Sequence, residues 1–255
     1  MIKNKKIMAA AVMSVMVLSL AACGTKTETP AAPAAPAAPS APAAPAETDH
    51  NAAMEGVEAF NAIVKAYPDR KGFHEELQHW GFELEPGVKF EWSKDMSANI
   101  ADFALVMKSE PLVGAGLDLG KLDKDSWLVE PAGKDSMGME QPARLILPYD
   151  VSEKAGASET SEESLMKIIE ADEELLIYHE DQKHYVLILG NGNEVVWTED
   201  PALNENDVLF VLGAAPLVEA GLDVTKLEGT GWTFKPATAD GKFPDQIVST
   251  YDLKK

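Results

Sequence analysis

Cysteine is nearly missing from this 255-residue chain: there is one, Cys23. A lone cysteine cannot close a disulfide within the chain or build a thiolate cluster for a metal. Basic residues are also scarce, 22 Lys and Arg against 42 Asp and Glu, for a formal charge of −20. Such a balance makes nucleic acid and anionic lipid headgroups poor partners for the folded part. A cationic ligand is easier to accommodate, although a solvated acidic surface is the ordinary use of so many carboxylates. No GxSxG, P-loop, CxxC or HExxH pattern occurs, so an enzyme is the class the sequence favours least. The one long apolar run, Ile7 to Leu20, falls short of the ~20 residues a membrane-spanning helix needs.

What stands at the N-terminus is ordered by charge and size. Lys3, Lys5 and Lys6 precede the apolar run, and small residues follow it up to Cys23. That is the pattern of a secretory signal. The run ends in Leu20, Ala21, Ala22, Cys23 and Gly24, which resembles the lipobox of bacterial lipoproteins. The resemblance implies diacylglycerol on the Cys23 thiol, cleavage before it, and a fatty-acylated (palmitate-type) anchor in the bacterial cell envelope facing outside the cytoplasm. A cysteine so used is lost to disulfide, metal and nucleophile chemistry. Removing residues 1–22 takes away three lysines and no acid, moving the formal charge from −20 to −23. Residues 30–45 then carry proline at every third position. Polyproline II has three residues per turn, so these residues read as a semi-rigid stalk of roughly 50 Å, at ~3.1 Å per residue.

The rest of the chain repeats itself. Phe73–Ala132 aligned with Tyr178–Ala237 at an offset of 105 gives 22 identities in 60 positions without a gap. Chance would give on the order of four. The expected organisation is a signal peptide at 1–22, a lipidated cysteine and stalk at 23–50, and two α+β repeats at 51–152 and 153–255. Val57, Phe60, Ile63, Val64 and Tyr67 in one repeat, and Leu165, Ile168 and Ile169 behind Thr160 or Ser161 in the other, have helical spacing. Strand-rich segments broken by "EPG" and "NGN" follow, suggesting antiparallel meanders. The segments after them begin ambiguously, as strand or helix. Pro111 and Pro216 then suit the first turn of short helices ended by Gly116 and Gly221. Two closing strands complete each repeat. The expected fold is α+β, two tandem homologous modules, each an antiparallel sheet with helices on one face. Trp92, Trp127, Trp197 and Trp232 read as core, and Asp102, Asp118, Asp207 and Asp223 as caps or turn formers.

Four of the five histidines recur in one pattern: "HEELQH" at 74–79 and "HEDQKH" at 179–184. Five residues apart, the members of a pair diverge on a helix and face opposite sides of a continuous strand. A four-residue hairpin loop would instead set them opposite each other at its base, with Cβ atoms roughly 4.5–5.5 Å apart. Paired imidazoles can share a metal ion. On this expectation His74 with His79, and His179 with His184, are metal or ligand residues, with Glu75 and Glu180 able to add oxygen. The N/O set would suit zinc, copper, nickel or iron, or a metal-bearing cofactor such as haem. The bland alternative is that these histidines tolerate exposed turns and were copied with the duplication. The expected function is therefore a membrane-anchored extracytoplasmic lipoprotein that captures a ligand. The alternative is a non-catalytic accessory component docking on an envelope protein complex.

Overall fold

The computed structural model describes residues 50–75, 77–98, 101–134, 140–199 and 208–253. The signal segment, Cys23, the stalk, Asp200 and Asp207 lie outside the described residues. Ala46–Lys255 is one compact unit. Helix α1 (His50–Ala66) leads into β1 (Lys71–His74), β2 (His79–Glu85), β3 (Val88–Ser93) and β4 (Phe103–Lys108). Then come α2 (Glu110–Gly114), β5 (Leu128–Glu130), a short arm of β6 (Gly133–Lys134) and β7 (Glu140–Gln141), and β8 (Arg144–Tyr149). The second repeat runs α3 (Ser161–Ala171), β9 (Leu176–His179), β10 (His184–Ile188), β11 (Glu194–Thr198), β12 (Val208–Gly213), α4 (Ala214–Glu219), β13 (Trp232–Lys235) and β14 (Gln246–Tyr251).

Two six-stranded sheets result, ordered β1-β2-β3-β4-β8-β5 and β9-β10-β11-β12-β14-β13. The order is the same and every pairing is antiparallel. β4 and β12 keep the offset of 105, whereas Arg144 and Gln246, which open the last strands, are 102 apart. The first repeat thus carries three extra residues between Ala132 and Arg144, where its β6–β7 arm lies. The ambiguous segments resolve as strands followed by short helices, and proline stands in the first turn of α2. Asp118 and Asp223 cap the 3-10 turns that follow, accepting from Gly120 N and Thr225 N. Asp102 corrects the expectation of a cap. It is fully buried, and its carboxylate accepts from Val151 N at 2.8 Å and Lys154 Nζ at 2.6 Å.

Alternation in each strand sends one set of side chains inward. Phe82, Phe90, Trp92, Phe103 and Leu105 of the first sheet, and Leu187, Trp197, Phe210 and Leu212 of the second, enter one continuous core. The repeats therefore share a core instead of building one each. The four expected core tryptophans are all buried.

The helices are exchanged across this core. Trp197 Nε1 of the second sheet donates to Gly56 O of α1 at 2.9 Å, and Trp92 Nε1 of the first donates to Ser161 O of α3 at 3.0 Å. Gly56 and Ser161 are themselves 105 apart, so the two bonds are one bond made twice. A second reciprocal contact joins the loops after α2 and α4: Asp118 N donates to Ala220 O, and Asp223 N to Ala115 O, each at 2.9 Å. Gly116 and Gly221, at φ 103° and 104°, pass so close there that a Cβ on either would lie 3.0–3.1 Å from the other's carbonyl oxygen. Glycine is required twice over, for its left-handed backbone and for the approach.

Candidate functional site

The hairpin register places His74 opposite His79 and His179 opposite His184. Both four-residue loops end on a left-handed residue, Gln78 at φ 53° and Lys183 at φ 55°. In each, that residue's carbonyl accepts from a backbone amide just beyond β3 or β11, Lys94 N or Glu199 N. Within each pair the histidines lie on the outer sheet face, turned from the core. Glu75 and Glu180 are exposed on the loops. Among the described residues, no group of three or more His, Cys, Asp or Glu is placed to hold a metal ion.

The two pairs have different surroundings. His184 Nδ1 is turned to the carbonyl of Gln182, within its own loop, at 2.5 Å. His79 is buried, its side chain 7 % exposed, and its Nε2 lies 3.0 Å from the carbonyl of Ala101. A carbonyl can only accept, so Nε2 carries a proton and Nδ1 is left to its other neighbours. That Nδ1 has no hydrogen-bond partner and stands 3.7 Å from Glu91 Oε2, on a side chain only 9 % exposed. Nδ1 and Oε2 therefore face one another with no hydrogen bond between them. An unsatisfied buried polar atom costs about 1–3 kcal/mol, so the arrangement asks for a proton or a cation between them.

The Ala101 carbonyl is held from its other side. Asp102 N donates to Tyr149 O, Asp102 O accepts from Ser93 N, and the buried carboxylate is tied to Val151 and Lys154. Burial pushes the Asp102 carboxyl above its usual range, against the pull of Lys154 and the Val151 amide. Ser93 is the register partner of His79, which invites a Ser-His-Glu triad. The geometry refuses it: Nε2 is committed to Ala101, and Ser93 is fully buried with its Oγ accepting from Asp95 N.

In front of Glu91 lies a cavity of about 200 Å³, floored by Gly72 and Gly81 and bordered by His74, Glu83 and Lys89. One row across the outer face explains it. In the first sheet the row reads Gly72, Gly81, Glu91, Ala104, successive register partners on β1 to β4. In the second the same positions are Ile177, Val186, Val196 and Leu209. Those aliphatic side chains pack together and fill the space. A Cβ at Gly72 would meet nothing within 4 Å, and one at Gly81 only the Glu91 side chain at 3.6 Å. The histidines stand out in the sequence, whereas Glu91, Gly72 and Gly81 do not. The signal was present, since three outward positions differ in kind between copies that otherwise keep one in three residues.

Comparison with known families, curated proteins and solved structures returns no match to this chain. What the site does must be argued from its own chemistry.

Proposed function

We propose that this chain is a lipid-anchored extracytoplasmic binding protein that captures a metal ion or a metal-bearing cofactor on the outer face of its first sheet. The observation that supports the reading is the buried His79–Glu91 pair, one ring nitrogen unpartnered, behind a glycine-floored cavity that the second repeat fills. The lipobox at 20–23 and the proline-spaced stalk would hold that site off the membrane, and no helix among the described residues is long and apolar enough to cross one.

Two variants test the two halves of the reading. Cys23→Ala is expected to leave the precursor uncleaved and unlabelled by radioactive palmitate; normal maturation of the variant would remove the anchor. Gly81→Val places in the first sheet what Val186 places in the second, and is expected to abolish the melting-temperature shift given by zinc, copper, nickel, iron or haem. A wild-type chain shifted by none of these would lose the binding reading. A second reading, docking of an accessory protein on an envelope complex, draws on the edge strand β5. There Leu128 and Val129 are 51 % and 42 % exposed beside an apolar depression under Leu122 and Trp127. An exposed apolar edge can accept a further strand.

A further inference from the structure

We propose that the first repeat alone holds a transition-metal site, in which one divalent ion bridges Nδ1 of His79 and the carboxylate of Glu91. This rests on the ligand-binding reading above and narrows its ligand to an ion, its number to one and its place to one repeat.

Four observations converge on it. The first is distance. Metal–nitrogen and metal–carboxylate bonds of about 2.0–2.2 Å span 3.7 Å when the ion subtends roughly 125°, somewhat wider than the tetrahedral angle. The second is the rest of the imidazole. A histidine that ligates through one nitrogen characteristically donates the other N–H to a fixed acceptor, and His79 Nε2 does so to Ala101 O, whose own backbone is anchored through Asp102.

Room is the third observation. At about 200 Å³ the cavity that Glu91 lines lies below the roughly 300–1,000 Å³ that drug-sized ligands occupy, which gives an ion held by Glu91 space for its waters and leaves a haem macrocycle outside. His74 stands opposite His79 in register and borders the cavity but forms no three-ligand group with His79 and Glu91, so water completes the shell. Arg70, Lys71 and Lys89 all line the cavity and favour an anionic co-ligand on the ion. A neutral nitrogen with a carboxylate is a borderline donor set, suited to zinc, copper, nickel or iron and poorly to calcium.

The comparison between repeats is the fourth. The second repeat keeps both histidines yet has Val196 for Glu91, Val186 for Gly81 and Ile177 for Gly72, and its His184 Nδ1 faces Gln182 O. Everything the ion needs beyond the histidines is gone there.

Titration calorimetry of zinc and copper into the full-length chain, with ¹⁵N NMR of the histidine rings under zinc, tests the site. The expected result is one ion per chain and a zinc-dependent shift at His79 Nδ1. Glu91→Gln is expected to weaken binding about tenfold or more, and His179→Ala with His184→Ala to leave it unchanged. Glu91→Gln preserves side-chain shape, and its metal-free melting temperature separates lost binding from lost folding. Coordination through Nε2, two ions per chain, or loss of uptake in the His179→Ala, His184→Ala variant overturns the site while ligand capture stands. Haem binding that Gly81→Val abolishes, without ion uptake, has the same meaning. A chain that takes up neither ion nor haem overturns both proposals.

Discussion

A single side chain can sit at odds with its surroundings, and the clearest case outside the candidate site is Glu194. It lies on the outer face of the second sheet between its register partners Ile188 and Val211, next to Val196. Burial among them pushes its carboxyl above the usual range, with no cation among the described residues to offset it. The folded chain therefore holds this proton to a higher pH than the unfolded chain does, and stability falls as pH rises through that interval. Glu194→Gln is expected to match wild type in urea melts at pH 3.5 and to exceed it at pH 7. An equal gap at both pH values would show that the carboxyl feels no such burial. Glu91 shows why residues of this kind escape a reading of sequence. On an alternating strand a glutamate between aromatic residues is assigned to open solvent, and only the third dimension shows how little of Glu91 is left exposed. The histidine pairs were legible because a four-residue loop dictates what stands opposite what. What a ring nitrogen then faces is decided by strands and loops distant in sequence.

At the scale of the element, α1 shows where periodicity stops being informative. Its apolar spacing marked the helix and its buried face, and Val57, Phe60, Ile63 and Val64 are all buried. Spacing cannot say against what. Gly56 is where the answer is written: a Cβ there would lie 2.7 Å from Tyr185 Cδ1 and 2.8 Å from Leu176 Cδ2, both on the second sheet. Glycine inside a helix costs about 1 kcal/mol relative to alanine, which the closeness of helix to sheet explains. Gly56→Val is expected to destabilise the chain by about 2–3 kcal/mol in urea unfolding, as overpacking does. A neutral effect would mean that α1 can draw away from β9 and β10 at no cost. Strand existence and sheet class were likewise readable from β-branched runs and turn residues. The placement of β8 between β4 and β5 was not, because strand order depends on which edges are free to pair once the chain has turned back.

For the whole molecule the decisive feature is the exchange of helices. A fragment covering 51–152 keeps its sheet but loses α3, the acceptor for Trp92, and its α1 loses the sheet that holds Trp197. Fragments 51–152 and 153–255 are each expected to be largely unfolded alone, and to recover native circular dichroism on mixing. A cooperative melt from either fragment by itself would mean that the shared core is divisible. The same symmetry has a consequence for how stability depends on concentration. A lone repeat could satisfy its tryptophan and its close-approach glycine only by finding a second copy, and that association would weaken with dilution. Joining the copies in one chain sets their effective concentration at the millimolar order of a short linker. The body should thus melt at one temperature whether it is crowded or solitary, and because the copies no longer have to be identical, one outer face was released to diverge.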